Sequence, residues 1–211
     1  LQELFQDEMG WANAASALLK TAGFNGTGAW SDQKILPQAE TKLVRTKILH
    51  LMAGYGKKRG GTYKKSGNLG FPGDCPFVFD PGFEEFCQKV CKSLGAQNDP
   101  WLLGYFSDNE LPWSADMLDK YLRLEVNDPG RQAAESWLVE HRLSRTHITP
   151  KIREAFLEYV ADRYFRITSQ AIRTADPNHL ILGARFNAQA LECPALFRAA
   201  GRHCDVISVN Y

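Results

Sequence analysis

Most of the marks that announce a specialised function are absent from this chain of 211 residues. It has no excess of either charge: 25 basic against 24 acidic residues leave a net +1, so nothing draws the whole molecule to nucleic acid or to an anionic membrane. No apolar run reaches the roughly eighteen residues that a spanning helix needs. The cysteines, Cys75, Cys87, Cys91, Cys193 and Cys204, are odd in number and lack zinc-type spacing, which argues against a disulfide framework. The histidines, His50, His141, His147, His179 and His203, show neither an HExxH pattern nor any other paired spacing. No Gly-x-Ser-x-Gly elbow occurs either, so metal hydrolysis and serine acylation lack a basis. Residues 54–62 imitate a phosphate loop in the separation of Gly56 and Gly61, but Thr62 stands where the phosphate-contacting lysine is required. No cofactor is expected. The start also lacks something: Leu1 and the residues after it have neither the basic head nor the apolar centre of a signal peptide, and the chain reads as an interior piece of a longer one.

What is present is alternation. With 44% hydrophobic residues the chain can bury a core as one domain. Periodicity and turn residues predict a helix over 7–22, with Trp11, Ala15, Leu18, Leu19 and Ala22 on one face, then a strand over 24–30. A short helix over 37–45 precedes a strand over 47–53, and residues 54–76 read as a long glycine-rich connection. Asp80 and Pro81 open the next helix and Gly95 closes it, with Cys87 and Cys91 four apart in its buried stripe. A strand over 101–106, apolar enough to be buried on both faces, is followed by helices over 114–126, 131–141 and 149–175. A strand over 179–185, a helix over 194–200 and a strand over 205–211 complete the series.

Strands that alternate with helices predict a parallel α/β fold. The expected architecture is a (β/α)8 TIM barrel, incomplete here with about strands two to six present. Residues 1–211 then form one partial catalytic domain, truncated at both ends. A doubly wound open sheet is the alternative, but it ordinarily carries a phosphate-binding turn after an early strand. Lys57, Lys58, Arg59, Lys64 and Lys65 make a basic run, read as a solvated loop or as a contact for an anionic polysaccharide.

The chemistry concentrates in residues 101–113. Asp108, Asn109 and Glu110 arrive at the C-terminal end of the central strand, the end at which barrel enzymes place catalytic groups, and Pro112 stops the strand. Glycoside hydrolysis needs one carboxylic acid to protonate the leaving oxygen and a second carboxylate across the sugar, about 5–5.5 Å away in retaining enzymes. Glu110 suits the acid, and Asn109, which both donates and accepts, suits a sugar hydroxyl. A helix cap explains the same triplet, and spacing alone leaves both readings open.

The stretch Gly-Tyr-Phe-Ser-Asp-Asn-Glu at 104–110 resembles the fourth-strand motif of retaining glycoside hydrolases of clan A, where an Asn-Glu pair ends the strand. With the stretches at 159–165, 175–186 and 204–211, the chain looks most like the β-agarases of glycoside hydrolase family 50. The resemblance implies a retaining glycosidase acting on a β-linked galactose-containing polysaccharide, agarose above all, and a secreted or periplasmic location. It makes Glu110 the general acid/base and Asn109 its substrate-binding neighbour, and it puts the nucleophile beyond residue 211. Trp30, Arg185, Asn187, Asn210 and Tyr211 are the candidate sugar contacts, and Asp108 and Trp113 the supports of the loop. A β-galactosidase-like enzyme of the same clan, or a non-catalytic sugar-binding scaffold, is the alternative function.

Overall fold

The computed structural model describes residues 2–5, 7–60 and 70–210. Helices α1 (Gln2–Phe5) and α2 (Glu8–Thr21) lead into β1 (Gly26–Thr27), and β2 (Val44–Ile48) runs into α3 (Leu51–Arg59). After α4 (Phe83–Cys91) and β3 (Leu102–Phe106) come α5 (Met117–Leu122), α6 (Pro129–Glu140) and α7 (Pro150–Ala175). Strand β4 (Leu180–Ile181) and helices α8 (Ala188–Leu191) and α9 (Pro194–His203) close the series.

The four strands form one parallel sheet in the order β1-β2-β3-β4. That order follows the chain without reversal, so the described strands contain no switch point of the kind that marks a doubly wound sheet. Strand β3 and strand β4 meet closely at Gly104, where a Cβ would stand 2.2 Å from the Leu180 carbonyl oxygen. Only glycine fits there.

Several boundaries differ from the sequence expectation, each for a local reason. The strand expected over 24–30 shrinks to two residues, because Gly26 and Gly28 offer no side chain to pack on a pleated face. The helix expected over 37–45 is a single 3-10 turn, Leu36–Gln38, and Val44 and Arg45 belong to β2. That strand ends at Ile48 rather than residue 53, since Leu51, Met52 and Ala53 are buried as the first turn of α3. A short apolar run fits strand and helix equally well. The expected loop over 54–76 is therefore helical to Arg59, and residues 61–69, with Lys64 and Lys65, lie outside the described residues. Gly54 is a packing residue, not a breaker: a Cβ would press on the Phe86 ring at 3.3 Å, so its absence lets α3 settle on α4.

Helix α4 begins at Phe83 behind Gly82, two residues later than expected, with the Gly82 N–H donating to Asp80 Oδ1 at 3.2 Å. Cys87 and Cys91 are buried free thiols in its core stripe, and burial pushes the Cys91 thiol up to about 11. Helix α2 turns Ala12 and Ser16 inward and leaves Leu18 70% exposed, against the expected face. Strand β3 is buried on both faces, as expected, with Leu103 as the exception. A register shift opposite Arg45 and Thr46 puts Leu102 and Tyr105 in the core and leaves Leu103 45% exposed. Among the described residues the strand expected over 205–211 is one parallel bridge, Phe186 to Val209, and the sheet has four strands where five were expected.

Helix α7 is the spine. Thr149 caps it by accepting the Ile152 N–H at 3.3 Å, and its inner face carries Phe156, Val160, Tyr164, Phe165 and Ile172 into the core. Along its outer edge Glu154 and Glu158 pair with Arg198 of α9, and Glu158 and Asp162 pair with Arg202. The partners' numbers rise together, so the two helices run parallel, as successive strand–helix units require. These ions are partly solvated. Arg198→Ala is expected to lower the urea midpoint only slightly, with the difference shrinking at high salt.

Candidate active site

The C-terminal ends of β2, β3 and β4 are stitched to one another beyond the strands proper. The Leu49 N–H donates to the Phe106 carbonyl at 2.9 Å, and Leu51 N–H to Ser107 at 3.0 Å. On the other flank Ser107 N–H donates to Gly183 at 2.9 Å, and Glu110 N–H reaches the carbonyls of Ala184 and Arg185. The Phe186 N–H donates to Ser208 and Asn210 N–H to Phe186, both at 2.8 Å. Residues far apart in sequence are thereby set side by side on one rim.

Each of the three strand ends carries a non-glycine residue in the left-handed region: His50 (φ 54), Glu110 (φ 51) and Arg185 (φ 41). Such a conformation costs of order 1 kcal/mol or more for an ordinary side chain, and it persists only where the surroundings enforce it. Here it turns all three side chains out of the strand direction at the same rim.

Around Glu110 the side chains form one polar cluster. The Asn210 amide donates to Glu110 Oε1 and, at 3.4 Å, to Asn109 Oδ1. Arg185 donates from Nη1 to the same Asn109 oxygen at 2.8 Å. Its guanidinium lies 5.4 Å from the Phe106 ring centroid and 5.7 Å from that of Trp30, which is 67% exposed. The centroid of the His50 ring stands 6.1 Å from that of Trp30. Burial and the nearby Lys57 charge hold the His50 pKa below its ordinary value, so its imidazole is neutral at neutral pH and offers one donor and one acceptor.

Asp108 points the opposite way. Fully buried, it accepts the N–H groups of Met52 at 2.8 Å and Ala53 at 3.2 Å, which are the orphan donors of α3's first turn, and the Tyr164 hydroxyl at 2.7 Å. It caps that helix from the neighbouring strand. Tyr164 also lies 2.8 Å from Ser107 Oγ, and Ser107 Oγ donates to the Gly183 carbonyl at 3.2 Å. Burial outweighs the three donors and pushes the Asp108 carboxyl up to about 7. Trp113 is 1% exposed and packs edge-on against Tyr164 at 5.6 Å, closing the cluster from below.

Of the residues singled out in the sequence, Asn109, Glu110, Arg185 and Asn210 thus meet directly, with Trp30 beside Arg185. Asn187 is set apart as the cap of α8, its Oδ1 accepting the Ala190 N–H at 3.3 Å. Tyr211 lies outside the described residues. His50 and Tyr164 escaped the sequence reading. A lone histidine after an apolar run and a tyrosine inside a long helix carry no spacing signal, and only the strand-end geometry brings them forward.

No family model matches the chain. In sequence it is similar to two proteins of Vibrio sp. (strain JT0107). β-Agarase B is 27% identical over 171 residues, which is 63% of this chain and 18% of that protein. β-Agarase A is 25% identical over 95% of this chain and 24% of its own length. The crystal structure of BpGH50 matches 99% of this chain and 49% of its own, with a TM-score of 0.84 at 25% identity. The agarase AgWH50C matches 95% of this chain and 31% of its own, with a TM-score of 0.72 at 24% identity. The chain spans less than a quarter of the length of the curated relatives it matches, and about half that of BpGH50. Four parallel strands ending in this rim therefore belong to a chain that is similar in sequence to β-agarases and in fold to structures bearing the GH50 name.

Proposed function

We propose that this chain carries the acid/base half of a retaining glycoside hydrolase that cleaves agarose or a related β-linked galactose polysaccharide. The observation that carries the reading is the meeting of Asn109, Glu110, Arg185 and Asn210 at the ends of neighbouring parallel strands. Similarity to two β-agarases supplies the substrate class. In this reading the sheet is part of a (β/α)8 barrel, β1 to β4 and the segment around Val209 being its second to sixth strands.

Glu110, protonated, donates to the glycosidic oxygen as the bond breaks. A glutamate beyond residue 211 attacks the anomeric carbon from the other face, and Glu110, now a carboxylate, takes a proton from the water that releases the sugar. The Asn210 amide fixes the rotation of the Glu110 carboxyl. Since Asn109 Oδ1 is occupied by Arg185 and Asn210, its amide N–H groups are what it offers to the hydroxyl beside the reacting carbon. Trp30 supplies an apolar face for a pyranose. Asn187 and Tyr211 are proposed as further sugar contacts, and Asp108 and Trp113 as the supports of the loop. The enzyme acts outside the cell or in the periplasm, where the polymer is.

The test follows the anomer released by the full-length protein from agarose, read by proton NMR within the first turnovers. The expected product has the β configuration of the bond cleaved and mutarotates afterwards. First-formed α product overturns the two-step mechanism, and no cleavage of agarose or its oligosaccharides overturns the activity.

A further inference from the structure

On the outer side of the helices a groove of about 690 Å³ runs between α6, the first half of α7 and the end of α9. It shares no residue with the polar cluster around Glu110. Helix α6 approaches α7 there through Trp137, whose ring lies 5.3 Å from that of Phe156 and 6.4 Å from that of Tyr159. The rings form a row. His141 lies 4.4 Å from Trp137 at 31°, Tyr159 is also inclined at 31° to Trp137, and Phe79 stacks on Tyr159 at 5.5 Å and 28°. Trp137 is buried, but His141 is exposed and Tyr159 is 40% exposed, so two ring surfaces open into one groove. Core packing accounts for the tryptophan and leaves the two exposed rings unexplained.

Charge along the groove is balanced, with Lys151 and Arg202 against Glu158 and Asp162. Such a rim favours neither nucleic acid nor a sulfated polymer. It does offer partners for hydroxyl groups. Arg202 spends Nε on Asp162 and Nη1 on Glu158, each at 2.8 Å, which keeps Nη2 for a ligand. His141 Nδ1 lies 2.8 Å from the Trp137 carbonyl, so in the neutral ring the proton sits there and Nε2 is an acceptor. Ring faces bordered by a few donors and acceptors suit a pyranose, which is apolar on its C–H face and polar at its edge.

The geometry points to a second polysaccharide site in this groove, which takes a strand of an uncharged β-linked galactose polymer on the His141 and Tyr159 rings and holds the protein on the polymer it cleaves. The site rests on the glycosidase reading for its ligand and lies apart from the chemistry.

The experiment uses the full-length protein with Glu110→Gln, so that polymer is not consumed, and measures its retardation in native gels that contain soluble agarose. One variant, His141→Ala with Tyr159→Ala, removes both rings. The other, Ala155→Arg, keeps the rings and lays a long side chain across the groove from an exposed position of α7, where arginine is a good helix former. Expected in both is a rise of about tenfold in Kd for the polymer, the scale of one stacked ring with a hydrogen bond. In the active enzyme Ala155→Arg is expected to leave kcat/KM for an agarose tetrasaccharide within about twofold. Unchanged retardation of Ala155→Arg overturns the inference, whatever the ring variant shows, and leaves the groove to a protein surface. A fall in tetrasaccharide turnover that matches the fall in polymer binding overturns it too, because the effect then passes through the catalytic site. Should the unsubstituted protein neither bind agarose nor cleave the tetrasaccharide, the glycosidase reading itself has failed, and the second site falls with it.

Discussion

Glu110→Gln is expected to slow cleavage of agarose by the full-length protein about a thousandfold, while kcat/KM for a dinitrophenyl glycoside with the same sugar stays within about tenfold. The contrast follows from the role proposed for the carboxyl. A sugar alkoxide is a poor leaving group and departs only as its oxygen is protonated, whereas dinitrophenolate leaves without a proton. Gln preserves the size of the side chain and its place beside Asn210, so the comparison isolates the proton. With the activated substrate, return of the sugar to water still lacks its base, and added azide restores the rate by attacking the glycosyl-enzyme directly. Steady-state rates on the two substrates decide the matter. A loss of less than about tenfold on agarose removes Glu110 from the acid/base role.

Asp108→Ala is expected to destabilise the fold by about 3 to 5 kcal/mol, measured by urea denaturation. The substitution strands two peptide N–H groups at the start of α3 and the Tyr164 hydroxyl, all in the interior. Because α3 begins one residue after His50, its loosening also disturbs the rim. Asn in place of Asp costs less, since it restores one acceptor. A loss below about 1 kcal/mol for Asp108→Ala would mean that the orphaned donors find water.

The same residue has a pH signature. The carboxyl titrates near 3.9 when unfolded, a typical figure, and at about 7 when folded, so folding takes up a proton. Its stabilising contribution is complete below about pH 4 and is lost as pH rises through 7. When protonated, Asp108 donates to Tyr164, Tyr164 to Ser107 Oγ, and Ser107 to the Gly183 carbonyl, so every member of the chain keeps a partner. Asp108→Asn is expected to flatten the fall in stability between pH 4 and 7.

How much was legible beforehand differs from element to element. Helix α7 could be read because 26 residues of consistent period, opened by Thr149 and Pro150, leave little ambiguity. Strand β3 and its polar end were legible too, since an aromatic apolar run stopped by Asp-Asn-Glu-Leu-Pro has few other readings. The first and last strands were misjudged. Gly26 pairs only through its backbone, and Val209 bridges Phe186 by a contact that no local pattern encodes. Helix α3 hid behind Gly54, whose lack of a side chain makes room for the ring of Phe86, a residue distant in sequence.

The sequence by itself determined the class of fold, the position of the Asn109–Glu110 pair at a strand end, and the kind of chemistry such a pair can perform, because alternation and residue type are local properties. Only the tertiary structure decided which distant groups face that pair. Parallel strands start from the same edge, so their ends meet whatever the loops between them contain, and this is how Arg185 and Asn210 reach residues 76 and 100 to 101 positions earlier. It also separated three adjacent polar residues by direction: Asp108 into the core, where α3 needs a cap, and Asn109 and Glu110 onto the rim. In sequence they are one cluster; the left-handed turn at Glu110 and the donors of α3 make them two.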